Sequence, residues 1–282
     1  MKARIRISVA VALFSSLPLT VFMGSSVAHG SAPSTDSGSA NAVTAPADCA
    51  DVPDHAQLRR VVAKVVREGG NGGLGNDMWA VSVNRDGIVC AVAFSGPDRG
   101  AQWPGSRLIA AQKAYTANAF SLPPGSRGVL PGLALSTANL YSPVQPGGSL
   151  FGLQTSNPVD PAVGYAGDPA RYGQGDDPMV GRKLGGVNVF GGGLALYTRN
   201  RLVGGIGVSG DTSCTDHVVA WKMRDALGLD NVPTGVRPRP DGDNIIFDIH
   251  NGVSASGYGH PECAPSATAV AEQLPYTHPL GR

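Results

Sequence analysis

Trp79-Ala80-Val81-Ser82-Val83-Asn84-Arg85-Asp86-Gly87-Ile88-Val89-Cys90-Ala91-Val92-Ala93-Phe94 decides the fold. Trp79, Val81 and Val83 alternate with small or polar residues, Asp86-Gly87 supplies a tight turn, and Ile88, Cys90, Val92 and Phe94 resume the alternation, which predicts a β-hairpin. Upstream, Leu58, Val61, Val62, Val65 and Val66 recur at helical spacing, with Asp54 and Gln57 placed as a capping box and Gly69-Gly70 closing the pattern. Downstream, Ser106 can cap a second helix running to Phe120, on which Ile109, Lys113, Thr116 and Phe120 share one stripe. A shorter helical piece is expected over Leu133 to Leu140.

Tyr141 to Gly186 holds many Pro, Gly and Asp residues with little periodicity and reads as a long inserted loop. After it come Val187 to Phe190 and the triplet Gly191-Gly192-Gly193. A second hairpin follows, Leu194 to Thr198 and Leu202 to Val208, and then a helix with Ser213 and Asp216 as a capping box, carrying Val219, Met223, Ala226 and Leu227. Asn244 to Asp248 reads as one more short strand and the rest of the tail as loop. Hairpins set between long helices predict one α+β domain with helices on an antiparallel sheet.

The chain ends of this reading concern export. Lys2, Arg4 and Arg6 precede an apolar run from Ile7 to Met23, broken by Pro18 and followed by small residues ending Ser26-Val27-Ala28, the pattern of a secretory signal peptide over residues 1–28. Residues 29–48 read as a disordered linker and 49–282 as the domain, with the insertion at 141–186 and a C-terminal extension at 229–282. A secreted or periplasmic location follows, and no 20-residue apolar span after the N-terminus suggests a membrane crossing. Removing the three basic leader residues leaves 19 Lys and Arg against 21 Asp and Glu, which argues against a nucleic-acid partner. Four cysteines in an oxidising compartment suggest two disulfides. Pairing Cys49 with Cys90 and Cys214 with Cys263 ties each poorly structured segment to a regular element. No two cysteines stand two to four residues apart, the spacing of a thiolate zinc site.

Several patterns have bland explanations. Gly205-Ile206-Gly207-Val208-Ser209-Gly210 matches a dinucleotide fingerprint, but its strand belongs to a tight hairpin and no acid-tipped strand follows, so the glycines are expected to admit close backbone approach. Ser209, His217 and Asp211 could form a hydrolytic triad only if the fold assembled them. His29, His55, His217, His250, His260 and His278 are scattered, and Asp160, Asp168, Asp176 and Asp177 beside Gly and Pro suit turns better than calcium. Lys113 and Thr116, three residues apart on an apolar stripe, put one ammonium and one hydroxyl on a surface suited to a flat anionic macrocycle. The same spacing also suits a half-buried helix whose lysine reaches to water.

Asn84-Arg85-Asp86-Gly87, Lys113-Ala114-Tyr115-Thr116-Ala117, Gly191-Gly192-Gly193, Val203 to Gly210 and Asp216 together resemble the GlcG/HbpS-like family of heme-binding and heme-degrading proteins, a family also related to the C-terminal domain of a corrinoid adenosyltransferase. The resemblance covers most of residues 54–228. It implies a profilin-like α+β fold, a homo-oligomer, heme as cofactor, and in some members slow heme breakdown or signalling to a membrane sensor. Carried onto this chain, it assigns Lys113, Thr116, Phe120, Gly191, Gly192 and Gly193 to the heme site, with Thr116 or His55, the first-helix histidine, approaching iron. The loop written Gly-Gly-Pro in the family reads Gly191-Gly192-Gly193-Leu194 here, and the insertion could cover or rebuild the pocket. The rival readings are an oligomeric extracellular interaction module that uses the long loop, and the triad hydrolase.

Overall fold

A computed structural model describes residues 47–126, 132–199 and 201–281. The signal peptide and nearly all of the linker lie outside the described residues. Helix α1 (His55–Glu68) begins with the expected capping box: the Asp54 carboxylate accepts from Gln57 N, and the Gln57 side chain returns to Asp54 N. Strands β1 (Trp79–Asn84) and β2 (Val89–Phe94) form the predicted hairpin, and α2 (Ser106–Phe120) follows. Gly105, not Ser106, is its N-cap, and no side chain caps it.

The insertion folds into α3 (Leu153–Ser156), α4 (Pro161–Gly164) and three-residue turns of 3₁₀ helix, and then leads to β3 (Gly193–Thr198) and β4 (Arg201–Ser209). Helix α5 (Ser213–Ala226) is capped by Thr212, whose hydroxyl accepts from Thr215 N; the Ser213–Asp216 capping box does not form because Asp216 is engaged elsewhere. The tail pairs β5 (Ile249–His250) with β6 (Val253–Ser254) and ends in α6 (Pro265–Thr277).

Three expectations need correction. Asn244 to Asp248 is irregular and not a strand. The helical piece at Leu133 to Leu140 shrinks to a 3₁₀ turn at Thr137–Leu140, which starts where Ser136 caps it. The tail is not all loop: Pro265 pre-sets the first turn of α6, and Ala267, Ala271 and Leu274, four and three apart, are buried.

The four-stranded antiparallel sheet runs β2-β1-β4-β3. Both faces are covered, which is why every residue of β1 and β2 is buried. On one face Met78, Ala80, Ala91, Ala93, Ile206 and Val208 pack with residues of α1, α5 and α6. On the other, Trp79, Val81, Val83, Val92 and Phe94 meet α2 and the insertion residues Val163, Met179 and Leu184. The insertion is thus a packed layer of an α+β domain. A Cβ on Gly205 or Gly207 would run into the carbonyls of Ala114 or Ala110, so these glycines let α2 lie directly on β4, which is the close approach expected of them. Both preferred disulfides, Cys49–Cys90 and Cys214–Cys263, are present.

Candidate functional site

Lys113 extends from α2 toward the N-terminal turn of α5, where its ammonium donates to Asp216 Oδ2 at 2.7 Å and to the Val208 carbonyl at 3.2 Å. Asp216 Oδ1 accepts from Gly210 N and Asp211 N, both at 3.0 Å. Both side chains are 2% exposed. Burial pushes the Asp216 carboxyl up to about 6, against the lowering effect of the Lys113 ammonium beside it. The glycine triplet wraps this pair: Gly192, at φ +117°, has no room for a Cβ between Val208 O, Asp216 Cβ and Lys113 Nζ. Gly191 N donates to His260 Nε2 at 3.3 Å and Gly193 N to Thr137 Oγ1 at 2.9 Å.

One turn along α2, Thr116 is fully buried. Its hydroxyl donates to Gln112 O at 2.8 Å and accepts from Asn188 N at 3.0 Å, so the segment before the glycines lies across it. Phe120 packs with Val187, Val189 and Leu140. The structure therefore gathers Lys113, Thr116 and the three glycines, but around an ion pair and under Asn188. In this conformation neither polar group fits a heme, because the ammonium already has its carboxylate and the hydroxyl oxygen has both partners.

His55 stands apart at the first position of α1. Its Nδ1 lies 2.9 Å from the Val92 carbonyl. A carbonyl can only accept, so Nδ1 carries the proton and Nε2 keeps its lone pair. The ring is half-buried, and one turn on, Arg59 sits 4.4 Å over the Phe94 ring and donates to the carbonyls of Phe94 and Gly96. A backbone carbonyl that holds Nδ1–H leaves Nε2, which has no hydrogen-bond partner among the described residues, as the nitrogen able to ligate a metal. The Thr116 oxygen, by contrast, is held by both Gln112 and Asn188.

Residues 56–224, more than half of the chain, match the family described as Haem degrading protein HbpS-like. The chain belongs to that family. Its HbpS-like core is also similar to solved structures. PduOC in complex with heme shares 24% identity over 62% of this chain and 91% of that one, with a TM-score of 0.41. Klebsiella pneumoniae protein ORFY shares 20% over 62% and 90%, at 0.39. HbpS shares 16% over 62% and 86%, at 0.38. No curated protein matches the chain.

Other candidates of this HbpS-like chain resolve into structural roles. His217 Nε2 meets Asn244 Oδ1 at 3.1 Å and the Ile245 amide at 3.2 Å, and Asp211 accepts from the amides of Leu74, Asn76 and Thr212, so Ser209, His217 and Asp211 do not form a triad. Asp160 and Asp168 cap short helical turns, Asp176 pairs with Arg171, and Asp177 pairs with Arg107; none of them gathers as a calcium loop. Among the described residues no helix is long and apolar enough to cross a membrane. An open groove of about 580 Å³ runs between the insertion and the β5–β6 hairpin, lined by Tyr141, Pro143, Gly148, Ile249, Val253 and Pro261.

Sequence reasoning missed Asp216 as the partner of Lys113, Asn188 as the cover of Thr116, and His260 as the anchor of Gly191. Only the first left a trace, as opposite charges on two helices whose neighbours are apolar. Nothing in the short segment Val187–Phe190 marks Asn188.

Proposed function

We propose that the chain is an exported heme-binding protein that holds iron through His55 Nε2. Family membership over residues 56–224 supports heme as the ligand, and the observation that carries the site is the His55 ring, oriented by the Val92 carbonyl with its second nitrogen unengaged. Arg59, one turn on along α1, brings a guanidinium to the same end of the helix. The disulfides are compatible with an oxidising compartment. Heme, when bound, supplies an iron centre that peroxide can oxidise. His55 Nε2 would hold that iron, and slow oxidative breakdown of the macrocycle is the chemistry the bound group would supply. The Lys113–Thr116 ledge is a second place for heme only if the segment Val187–Phe190 lifts from α2.

Absorption titration of the mature protein with hemin tests this. Saturation of a shifted Soret band near one heme per chain is the expected result; no shift at micromolar hemin rejects the reading.

The groove favours a second reading, an interaction module without heme. Phe151 and Val253, both about two-thirds exposed, lie beside or within it. A defined oligomer by light scattering with no heme uptake is its signature.

A further inference from the structure

Two short stretches repeat one spacing in opposite order: Cys214-Thr215-Asp216-His217 in the first turn of α5 and His260-Pro261-Glu262-Cys263 just before α6. The fold brings them together. Cys214 and Cys263 form a disulfide, and their two sulfurs and a ring nitrogen of His260 all lie within 4.8 Å of one another. Cys214 is fully buried, His260 is 2% exposed, and Cys263 is half-buried.

The hydrogen bonds around this corner hold the imidazole lone pair of His260 only by one long contact. His260 donates Nδ1–H to the Pro261 carbonyl at 2.7 Å, so its Nε2 lone pair meets only the Gly191 amide, at a long 3.3 Å. His217 follows Cys214 by one helical turn. It is fully buried, and its Nδ1 is one of the few buried side-chain atoms among the described residues that make no hydrogen bond. A buried imidazole nitrogen without a partner is uncommon unless something else uses it.

We propose that reduction of the Cys214–Cys263 disulfide converts this corner into a binding site for one thiophilic d¹⁰ cation such as Zn²⁺, with Cys214, Cys263 and His260 as ligands and His217 adjacent. A dithiol reductant gives up two electrons and two protons and becomes a disulfide, while the Cys214–Cys263 bond breaks to two thiols. Cation binding then releases both thiol protons to solvent. Two thiolates balance the 2+ charge inside a water-poor corner, and neutral imidazole adds a ligand without adding charge. The cross-link between the start of α5 and the segment before α6 survives in both states, through sulfur–sulfur in one and sulfur–metal–sulfur in the other. The proposal is independent of heme, since His55 is not part of this corner.

The test uses the full-length chain carrying Cys49→Ser and Cys90→Ser, reduced with a dithiol, desalted without oxygen and titrated with Co²⁺. The expected result is one Co²⁺ per chain with thiolate charge-transfer and tetrahedral d–d bands, displaced by Zn²⁺ and absent from the oxidised protein. Adding Cys263→Ser removes the bands, and His260→Asn weakens binding at least tenfold. Absence of these bands from reduced protein that retains its far-ultraviolet circular dichroism overturns the proposal, as do bands indifferent to His260→Asn. If the host variant fails to fold, the fully reduced natural chain is compared with Cys214→Ser/Cys263→Ser, and bands that survive in the latter overturn it.

Discussion

Glycine 207 has no space for a methyl group, because the Ala110 carbonyl occupies it. Gly207→Ala should push α2 off β4 and cost about 2–4 kcal/mol, readable by urea denaturation; an unchanged midpoint would contradict the direct helix-on-strand contact. Lys113 is bound just as tightly by its surroundings. Lys113→Met leaves the Asp216 carboxylate buried and unpaired, with an expected loss of about 3–5 kcal/mol, and a loss below about 1 kcal/mol would show that the pair is not the anchor seen here. The spacing of Lys113 and Thr116 on one stripe was legible in the sequence. Their partners were not, since Asp216 lies 103 residues away and Asn188 belongs to a segment without periodicity. Two buried histidines set a pH response of the disulfide-bonded chain. Burial lowers His217 to about 3 and His260 to about 4 from an ordinary 6.5. The unfolded chain takes up these protons first, so their stabilisation is complete above pH 6.5 and is lost as pH falls toward 4. Asp216, raised to about 6 from 3.8, and Asp225, also raised by burial, favour the folded state on acidification, while the lowered Asp248 works with the two histidines. The thermal midpoint should therefore fall from pH 6.5 to 4, and His260→Asn should flatten the fall; an identical slope in the variant would refute this origin.

At the scale of elements, periodicity located α1, both hairpins, α2 and α5 because each buries apolar side chains in one of the two layers that cover the sheet. It failed where partners are not periodic. The insertion looked like loop because its order comes from a buried hub rather than from a repeating apolar face. Arg107 on α2 donates to both carboxylate oxygens of Asp177 and to Gly164 O, and its guanidinium stacks 3.7 Å over Tyr172. Asp177→Ala strands that cation in the second layer. Hydrogen exchange should accelerate across residues 153–184 while α1 and α5 keep their protection, and uniform acceleration would show that the insertion is not a separable layer. Helix α6 escaped notice because an Ala-rich stretch with Pro265 and Pro275 resembles a tail. Its stripe of Ala267, Ala271 and Leu274 was nevertheless readable once Pro265 is taken as a helix start.

For the molecule as a whole, the disulfide pairing followed from a simple idea, that each bridge ties a loose segment to a regular element. Cys49 joins the segment ahead of α1 to β2, and Cys263 joins the stretch before α6 to α5. The family signatures were also legible, because their glycines sit where helix or strand backbone leaves no room for a Cβ. The ligand site was less so. The sequence left Thr116 and His55 both open; the fold uses the Thr116 spacing for packing, and the tautomer of His55 is set by the Val92 carbonyl, 37 residues away in the chain. Parallel hemin titrations of His55→Ala and Thr116→Ala, followed at the Soret band, test the account most directly. Loss of at least tenfold in affinity for His55→Ala, with Thr116→Ala within about threefold of the natural chain, is the predicted outcome; heme binding that ignores His55 and vanishes with Thr116 would contradict it.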